Sequence, residues 1–453
     1  MRIRFLGGAD TVTGSKYLLT SGSSNILLDC GLFQGYKQLR LRNWSEFPIN
    51  PAKLKAVVLT HAHLDHSGYL PLLVKNGFKG KIFCSEATFD LCKILLLDSG
   101  RLLEEEANYA NRHGFSRHSP ALPLYSEADA IRSLKFFAPV KFGASFKVCA
   151  GLSAEMFHAG HILGAAIVSI RSDTSKITFS GDLGRPNDPI MMPPTFVEDS
   201  DYLVVESTYG NRLHDTTDPK IMLAKTINDT ASRGGVTIIP SFALGRAQEL
   251  LYYIHLLKTS GAIPAILPVY LNSPMAVDAT SIYNKHRDEH KLTDEQCVAM
   301  CHAAKIVNSV EESIALNQKQ MPMVIIAASG MATGGRVLHH LKAFAPDPRN
   351  TILFAGFQAG GTRGASMIAG ADSIKIHGQY VPLRAEVKQI DNLSAHADRG
   401  EILDWLAHFS VPPKQTFITH GEPDASDALR KAIQEKLHWS CRVPEHMESV
   451  ELS

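Results

Sequence analysis

The chain has 453 residues, 45% of them hydrophobic, and 46 Lys+Arg against 45 Asp+Glu give a formal net charge of +1. Such a length predicts two or three domains, and the charge balance excludes a general electrostatic pull on nucleic acid, so any such partner must be held by a local groove. No apolar run approaches the ~20 residues of a membrane span. Seven cysteines, with a first strand that begins at once and no leader-like apolar stretch, fit reduced thiols in a cytoplasm.

Met1 to Cys30 reads as a β-meander with Gly- and Ser-rich turns, and Asp29 stands at the exit of its last apolar run. Alone, Asp29 could cap a turn; beside a histidine cluster it reads as a carboxylate that orients a ligand histidine. Leu54 to Leu59 is a short buried strand that ends in Thr60. The next six residues, His61-Ala62-His63-Leu64-Asp65-His66, hold three imidazoles and a carboxylate. In an extended segment His61, His63 and Asp65 share a face, and His66 opens a helix. Imidazole with carboxylate suits zinc, and also iron or manganese. Further donors are expected on loops that follow apolar strands, because a sheet gathers such loops at one edge.

Helical patterning covers 84 to 135, interrupted by a surface excursion from Arg112 to Pro123 whose His113 and His118 are expected in solvent. Strands return between 146 and 180, and their exits offer His158 or His161, then Asp182 in Ser-Gly-Asp-Leu-Gly. A strand from Tyr202 delivers Glu206. From about 215 to 380, helices alternate with short aliphatic strands, the signature of a parallel sheet covered by helices. Three of its strand-to-helix turns are rich in small residues and carry an arginine: Pro240 to Arg246, Ser329-Gly330 through Gly334-Gly335-Arg336, and Gln358 to Gly364. Such turns can cradle phosphate oxygens. The last segment returns to strands, followed by Ser394-Ala395-His396 and then by His420. Cys297 and Cys301, on one helix face, are read as packing.

In this order the motifs resemble those of the β-CASP ribonucleases of the metallo-β-lactamase superfamily, the group that includes RNase J and the endonuclease subunit of the pre-mRNA cleavage and polyadenylation factor. The match runs through Asp29, His61-Ala62-His63-Leu64-Asp65-His66, His161, Asp182, Glu206, His396 and His420. The resemblance implies an α/β fold: an αββα metallo-β-lactamase sandwich in two pieces, 1–207 and 385–453, with a parallel-sheet β-CASP domain inserted at 208–384. It makes His161 rather than His158 the ligand. A KH-type domain and a long C-terminal extension, present in some relatives, are not found here, which leaves sequence preference and the mode of dimerisation open; a homodimer is one expected assembly.

The same resemblance implies two Zn2+ per chain, one on His61, His63 and His161, the other on Asp65, His66 and His420, with Asp182 bridging. They would activate water for in-line attack on phosphorus, with Asp29 and Asp65 supporting the centre. His396, held by Glu206, would donate a proton to the leaving oxygen, and the products would be a 5′-phosphate and a 3′-hydroxyl. Arg246, Ser329, Gly330, Gly334, Gly335, Arg336, Arg363 and Ser394 would grip the phosphates of single-stranded RNA across a cleft too narrow for a duplex. The cut could be endonucleolytic, 5′-exonucleolytic or both. Two rival classes remain: a metallo-hydrolase of small esters or thioesters, which has no use for the inserted domain, and a non-catalytic RNA-binding scaffold, which would have lost ligands.

Overall fold

The computed structural model describes every residue except 115 and 117. It contains two compact units, Met1–Leu213 with His396–Ser453, and His214–Ala395.

The first unit is built on two seven-stranded sheets. One runs in the order Ser449–Glu451, Arg2–Gly7, Lys16–Ser21, Ser24–Leu28, Leu54–Val58, Lys81–Ser85, Phe137–Val140. The other runs Cys441–Arg442, Gln415–Thr419, Tyr202–Glu206, Lys176–Phe179, Ala166–Arg171, Leu152–His158, Phe146–Cys149. Period-two alternation decides what lies between them. Ile3, Phe5, Tyr17, Leu19, Ile26, Leu28, Ala56 and Val58 face Val168, Ile170, Ile177, Phe179, Tyr202, Val204 and Phe417 in one apolar core. Phe5 and Phe417 meet across it, their ring centroids 5.2 Å apart.

Intervening residues such as Leu27, Val57, Leu203 and Ile418 are buried too, so each sheet needs a cover on its outer face. Glu86–His113 packs on Lys81–Ser85 and Phe137–Val140, and Pro423–Leu437 packs on Gln415–Thr419. These helices make the unit an αββα sandwich. Their limits follow local chemistry. Ser85 caps the first by accepting from Thr88 N–H, and Gly114, in the left-handed region, stops it. The helical patterning over 84 to 135 therefore resolves into two helices, the second (Glu127–Leu134) opened by a Ser126/Asp129 capping box. Of the intervening excursion, positions 115 and 117 lie outside the described residues, and His113 and His118 are exposed.

The second unit centres on a six-stranded sheet in the order Lys305–Ile306, Val269–Asn272, Met323–Ala327, Val236–Pro240, Thr351–Ala355, Glu386–Ile390, every pair parallel. Val236, Ile238, Ile325, Ile352 and Phe354 pack there with Val337, Leu341 and Phe344 of a covering helix. The inserted domain of the family fold is this parallel α/β layer. Among the described residues no helix is long and apolar enough to cross a membrane.

Candidate metal centre

Three neighbouring strands of the second sheet, Lys176–Phe179, Tyr202–Glu206 and Gln415–Thr419, are mutually parallel, with Ile177 opposite Tyr202 and Tyr202 opposite Gln415. Their carboxyl ends therefore lie together and deliver Asp182, Glu206 and His420. The first sheet does the same with Ser24–Leu28 and Leu54–Val58, where Leu28 pairs Val58 and Asp29 N–H donates to Val58 O at 2.9 Å. Asp29 and the His61 segment come from that edge, and His161 from the loop after Leu152–His158.

The donors form two groups. His61, His63, His161 and Asp182 make one, and Asp65, His66 and His420 the other. In the first, His61 Nε2 and His161 Nε2 each stand 3.2 Å from His63 Nδ1, and Asp182 Oδ2 lies 3.4 Å from His61 Nε2 and 3.6 Å from His161 Nε2. In the second, His66 Nε2 is 3.0 Å from His420 Nε2, and Asp65 Oδ2 is 3.4 Å from the latter. Asp182 also reaches this group, its Oδ1 lying 3.3 Å from His66 Nε2 and 3.6 Å from His420 Nδ1. One carboxylate thus turns one oxygen to each set.

The partition differs from an extended reading of the histidine segment. His63 is an N-cap residue, and Leu64–Ser67 is one turn of helix. That turn swings Asp65 away from His61 and His63 and sets it beside His66 and His420. Strand alternation carries only as far as His63.

These spacings suit a metal. Around zinc, with bonds of about 2.0–2.1 Å to nitrogen, neighbouring donors of a tetrahedron stand roughly 3.3 Å apart. Imidazole lone pairs packed this closely repel unless a cation lies among them. Asp182 Oδ1, buried with two imidazoles in reach, accepts no hydrogen bond. A buried carboxylate oxygen left this way costs stability that a cation would restore. The donor set fits zinc in both groups.

Electrostatics divide the site. Burial, with the neighbouring His66, pushes His61 well below the usual imidazole range, and burial likewise lowers His63; both are neutral and ready to ligate. For His66 burial acts downward too, but the charges of Asp182 and Asp29 outweigh it and hold the ring well above its ordinary value. Burial would raise Asp182, yet His420, His66 and His61 together hold it well below the usual carboxylate range.

Several partners set which nitrogen points inward. Asp29 Oδ2 accepts from His66 Nδ1 at 2.7 Å, while its Oδ1 accepts from Thr60 N–H at 2.7 Å. Thr60 Oγ1 donates to Asp29 Oδ2 at 2.9 Å and lies 3.1 Å from His61 Nδ1. Thr208 Oγ1 stands 3.1 Å from His420 Nδ1. Sequence reasoning gave Thr60 and Thr208 no role; the signal for each was a threonine two residues after the end of a strand that feeds the site. Asp29 and His420 both sit in the left-handed region, at φ 56° and 52°, strain that collects at functional sites.

His396 stands outside both groups. Its Nδ1 is 3.1 Å from each oxygen of Glu206, and its ring centroid is 4.4 Å from that of His161. Glu206 is buried and fixed, with Oε1 accepting from Leu183 N–H at 2.7 Å and Oε2 from Thr208 N–H at 3.2 Å. Burial works against charge on His396, but the charge and hydrogen bond of Glu206, helped by Asp182 and Asp65, lift it to about 9. His158 is half-buried, stacks on Phe142 at 3.9 Å and belongs to neither donor group.

In the second unit the glycine turns lie at the carboxyl edge of the parallel sheet, but their polar groups are largely turned to the protein. Ser329 Oγ accepts from Thr333 N–H at 3.1 Å and Gly334 N–H at 3.3 Å. Arg336 donates to Asn272 Oδ1 at 2.8 Å, Val307 O at 3.0 Å and Asn308 O at 2.6 Å. Arg363 donates to Lys375 O at 2.7 Å and Thr333 O at 3.0 Å. Arg246 is buried and pairs Glu249. Gly330 has no room for a side chain, since a Cβ there would come 2.6 Å from the Phe242 ring, whereas one on Gly334 would meet nothing. Gly335 has φ 72°, where glycine is favoured. Ser394 is buried after the last strand, its N–H donating to Asp391 O at 3.0 Å.

Comparison with known proteins agrees with this architecture. A metallo-beta-lactamase superfamily model matches residues 10–221, a Beta-Casp domain model 247–367, and a Zn-dependent metallo-hydrolase RNA specificity domain model 380–444. Ribonuclease TTHA0252 of Thermus thermophilus is 35% identical over 441 residues, 96% of this chain and 96% of that protein. The transcription termination factor FttA of Methanosarcina mazei is 32% identical over 476 residues, covering 100% of this chain and 72% of that protein. Its counterpart in Pyrococcus abyssi is 31% identical over 486 residues, with 100% and 71% covered. Fold, donor set and relatives agree: this chain belongs to the β-CASP ribonuclease family of the metallo-β-lactamase superfamily.

Proposed function

We propose that the chain hydrolyses phosphodiester bonds of single-stranded RNA with two zinc ions, leaving 5′-phosphate and 3′-hydroxyl ends. Its family makes it a metal-binding ribonuclease with RNA as substrate. The observation that carries the finer reading is Asp182, with one oxygen directed at each donor group. His61, His63 and His161 would hold one ion, Asp65, His66 and His420 the other, and Asp182 both. Zinc bound there supplies Lewis acidity, offsetting charge on phosphoryl oxygens and making water a nucleophile near neutral pH.

The chain's own residues do the rest. Asp29 and Thr60 hold the rings of His66 and His61 so that Nε2 faces inward. Glu206 keeps a proton on His396 Nδ1, and the positive ring donates from Nε2 to the oxygen that leaves phosphorus. Glu206 then offsets the lost charge balance and favours reprotonation. For the substrate chain, the glycine turns of the second unit, with Arg246, Arg336, Arg363 and Ser394, are the proposed phosphate contacts. Their arginines order the turns whose remaining amides would meet phosphate oxygens.

The test is cleavage of single-stranded RNA carrying a label at either end, by wild type and His63→Ala. Cleavage by wild type that is lost in the variant, with 5′-phosphate ends, is expected; full activity in the variant refutes the ligand assignment. Label position separates internal cuts from removal of 5′ nucleotides. We further propose a cytoplasmic protein, in keeping with seven free cysteines, and a homodimer, which light scattering would report as twice the chain mass.

A further inference from the structure

Between Asp29 and the 3-10 turn Pro51–Lys53, ahead of the strand that leads into the metal loop, lies a segment that the catalytic site does not use. From Cys30 to Ser45 there is no acidic residue, while Lys37, Arg40 and Arg42 are cationic. The helix Lys37–Arg42 buries no residue. Tyr36, Leu41 and Trp44 around it are 57%, 55% and 60% exposed, which is unusual for large apolar groups that have no partner.

The segment is nonetheless held firmly at its base. Asn43 is buried; its Nδ2 donates to Phe33 O at 2.8 Å and its Oδ1 accepts from Phe33 N–H at 2.9 Å. Cys30 N–H donates to His66 O at 2.6 Å, and Leu32 N–H to Leu64 O at 2.8 Å. The loop that carries the metal ligands and the base of this segment are therefore one hydrogen-bonded piece. Beside Trp44 opens a cavity of about 590 Å³, lined in part by Phe47, Tyr69, Leu72 and Asn76, within the ~300–1,000 Å³ typical of ligand pockets.

Resting on the reading of RNA as substrate, we infer that Tyr36–Trp44 is a stacking platform for single-stranded RNA, with Trp44 taking a base face, Lys37 and Arg40 the backbone, and the cavity an unstacked base. Exposed aromatic rings interleaved with cations are the chemistry that binds single strands without sequence preference; the one carboxylate nearby, Glu46, lines the cavity rather than the Tyr36–Trp44 run and can accept from a base amino group. A carboxylate-rich protein partner would satisfy the cations alone, and would leave the aromatic rings and the cavity unexplained.

Trp44 reports on itself. Of three tryptophans, Trp405 and Trp439 are buried, at 3% and 7% exposure, so quenchable emission comes from Trp44. Titration of the full chain with a phosphorothioate-linked single-stranded oligoribonucleotide is expected to quench it, less so as salt rises, while a duplex of equal length does not. Trp44→Ala should weaken binding about 5- to 150-fold, as expected for loss of one stacked base, Trp44→Phe should retain most of it, and Lys37→Glu with Arg40→Glu should flatten the salt dependence. Metal content should be unchanged in every one of these variants. If wild type cleaves long RNA and Trp44 is not quenched, the platform is refuted while the ribonuclease stands. A blue shift of Trp44 that grows with protein concentration and needs no RNA would assign the surface to a second copy and overturn the proposal.

Discussion

Replacing Asp29 by Asn tests how the protein chooses the nitrogen that faces the metal. A carboxylate can only accept, so Asp29 Oδ2, 2.7 Å from His66 Nδ1, fixes the proton there and leaves Nε2 as the inward lone pair. Asn at this position keeps the backbone, because φ is 56° and Asn tolerates the left-handed region. Its oxygen can still accept from Thr60 N–H, as Asp29 Oδ1 does at 2.7 Å. The amide NH2 then meets His66 Nδ1, the ring takes the other tautomer, and an N–H points where a ligand lone pair is needed. Loss of such a supporting partner typically lowers metal affinity 10–100-fold, about 1.4–2.7 kcal/mol. Competition with a chromophoric chelator measures the affinity, and imidazole nitrogen resonances of the zinc-loaded protein report which nitrogen keeps its proton. Asp29→Ala should cost more and in a different currency of effect: it strands the two donors of Thr60, about 1–3 kcal/mol of folding stability. Wild-type metal affinity in Asp29→Asn would refute the reasoning.

His396→Ala should lose about 10²–10⁴-fold in rate while keeping both metals, and a better leaving group should restore part of the loss; a fall in metal content would make His396 a ligand instead. In the metal-free protein the raised His396 value contributes stability that is present in full below about 6.5 and lost as pH rises through about 9. Glu206→Gln removes the largest upward influence on His396 and leaves only those of Asp182 and Asp65 against burial, so the ring should titrate well below 9 by NMR and the stability loss over that window should shrink. Arg336→Ala should destabilise the second unit by about 1–3 kcal/mol in urea unfolding, because Asn272 Oδ1 and two backbone carbonyls lose their donor. Arg363→Ala should weaken RNA binding and lower its salt dependence at unchanged metal content; unaltered RNA affinity would show the turn to be structural.

The parts of the molecule that the sequence made legible are those whose chemistry is local. An apolar strand followed within three residues by His or Asp is a pattern of adjacent residues, and parallel strands bring such exits to one edge whatever the lengths between them. The αββα sandwich and the parallel inserted layer followed from that patterning together with family resemblance. Less was legible where a side chain's direction depends on tertiary neighbours. One helical turn at Leu64 reassigns Asp65 from the company of His61 and His63 to that of His66 and His420. The arginines of the glycine turns show the same limit. Their position in a turn gives no sign that nearby carbonyls, Asn272 and Glu249 engage their guanidinium groups. Likewise, nothing in the run Tyr36 to Trp44 distinguishes a buried amphipathic turn from an exposed one; only the fold shows that its helix buries nothing.

The central claim is that seven side chains from His61 to His420 hold two metal ions through a shared Asp182. It is tested most directly by elemental analysis of the active protein. Two zinc ions per chain are predicted, with His63→Ala retaining at most one. A fully active protein that holds a single ion, or none, would contradict the account.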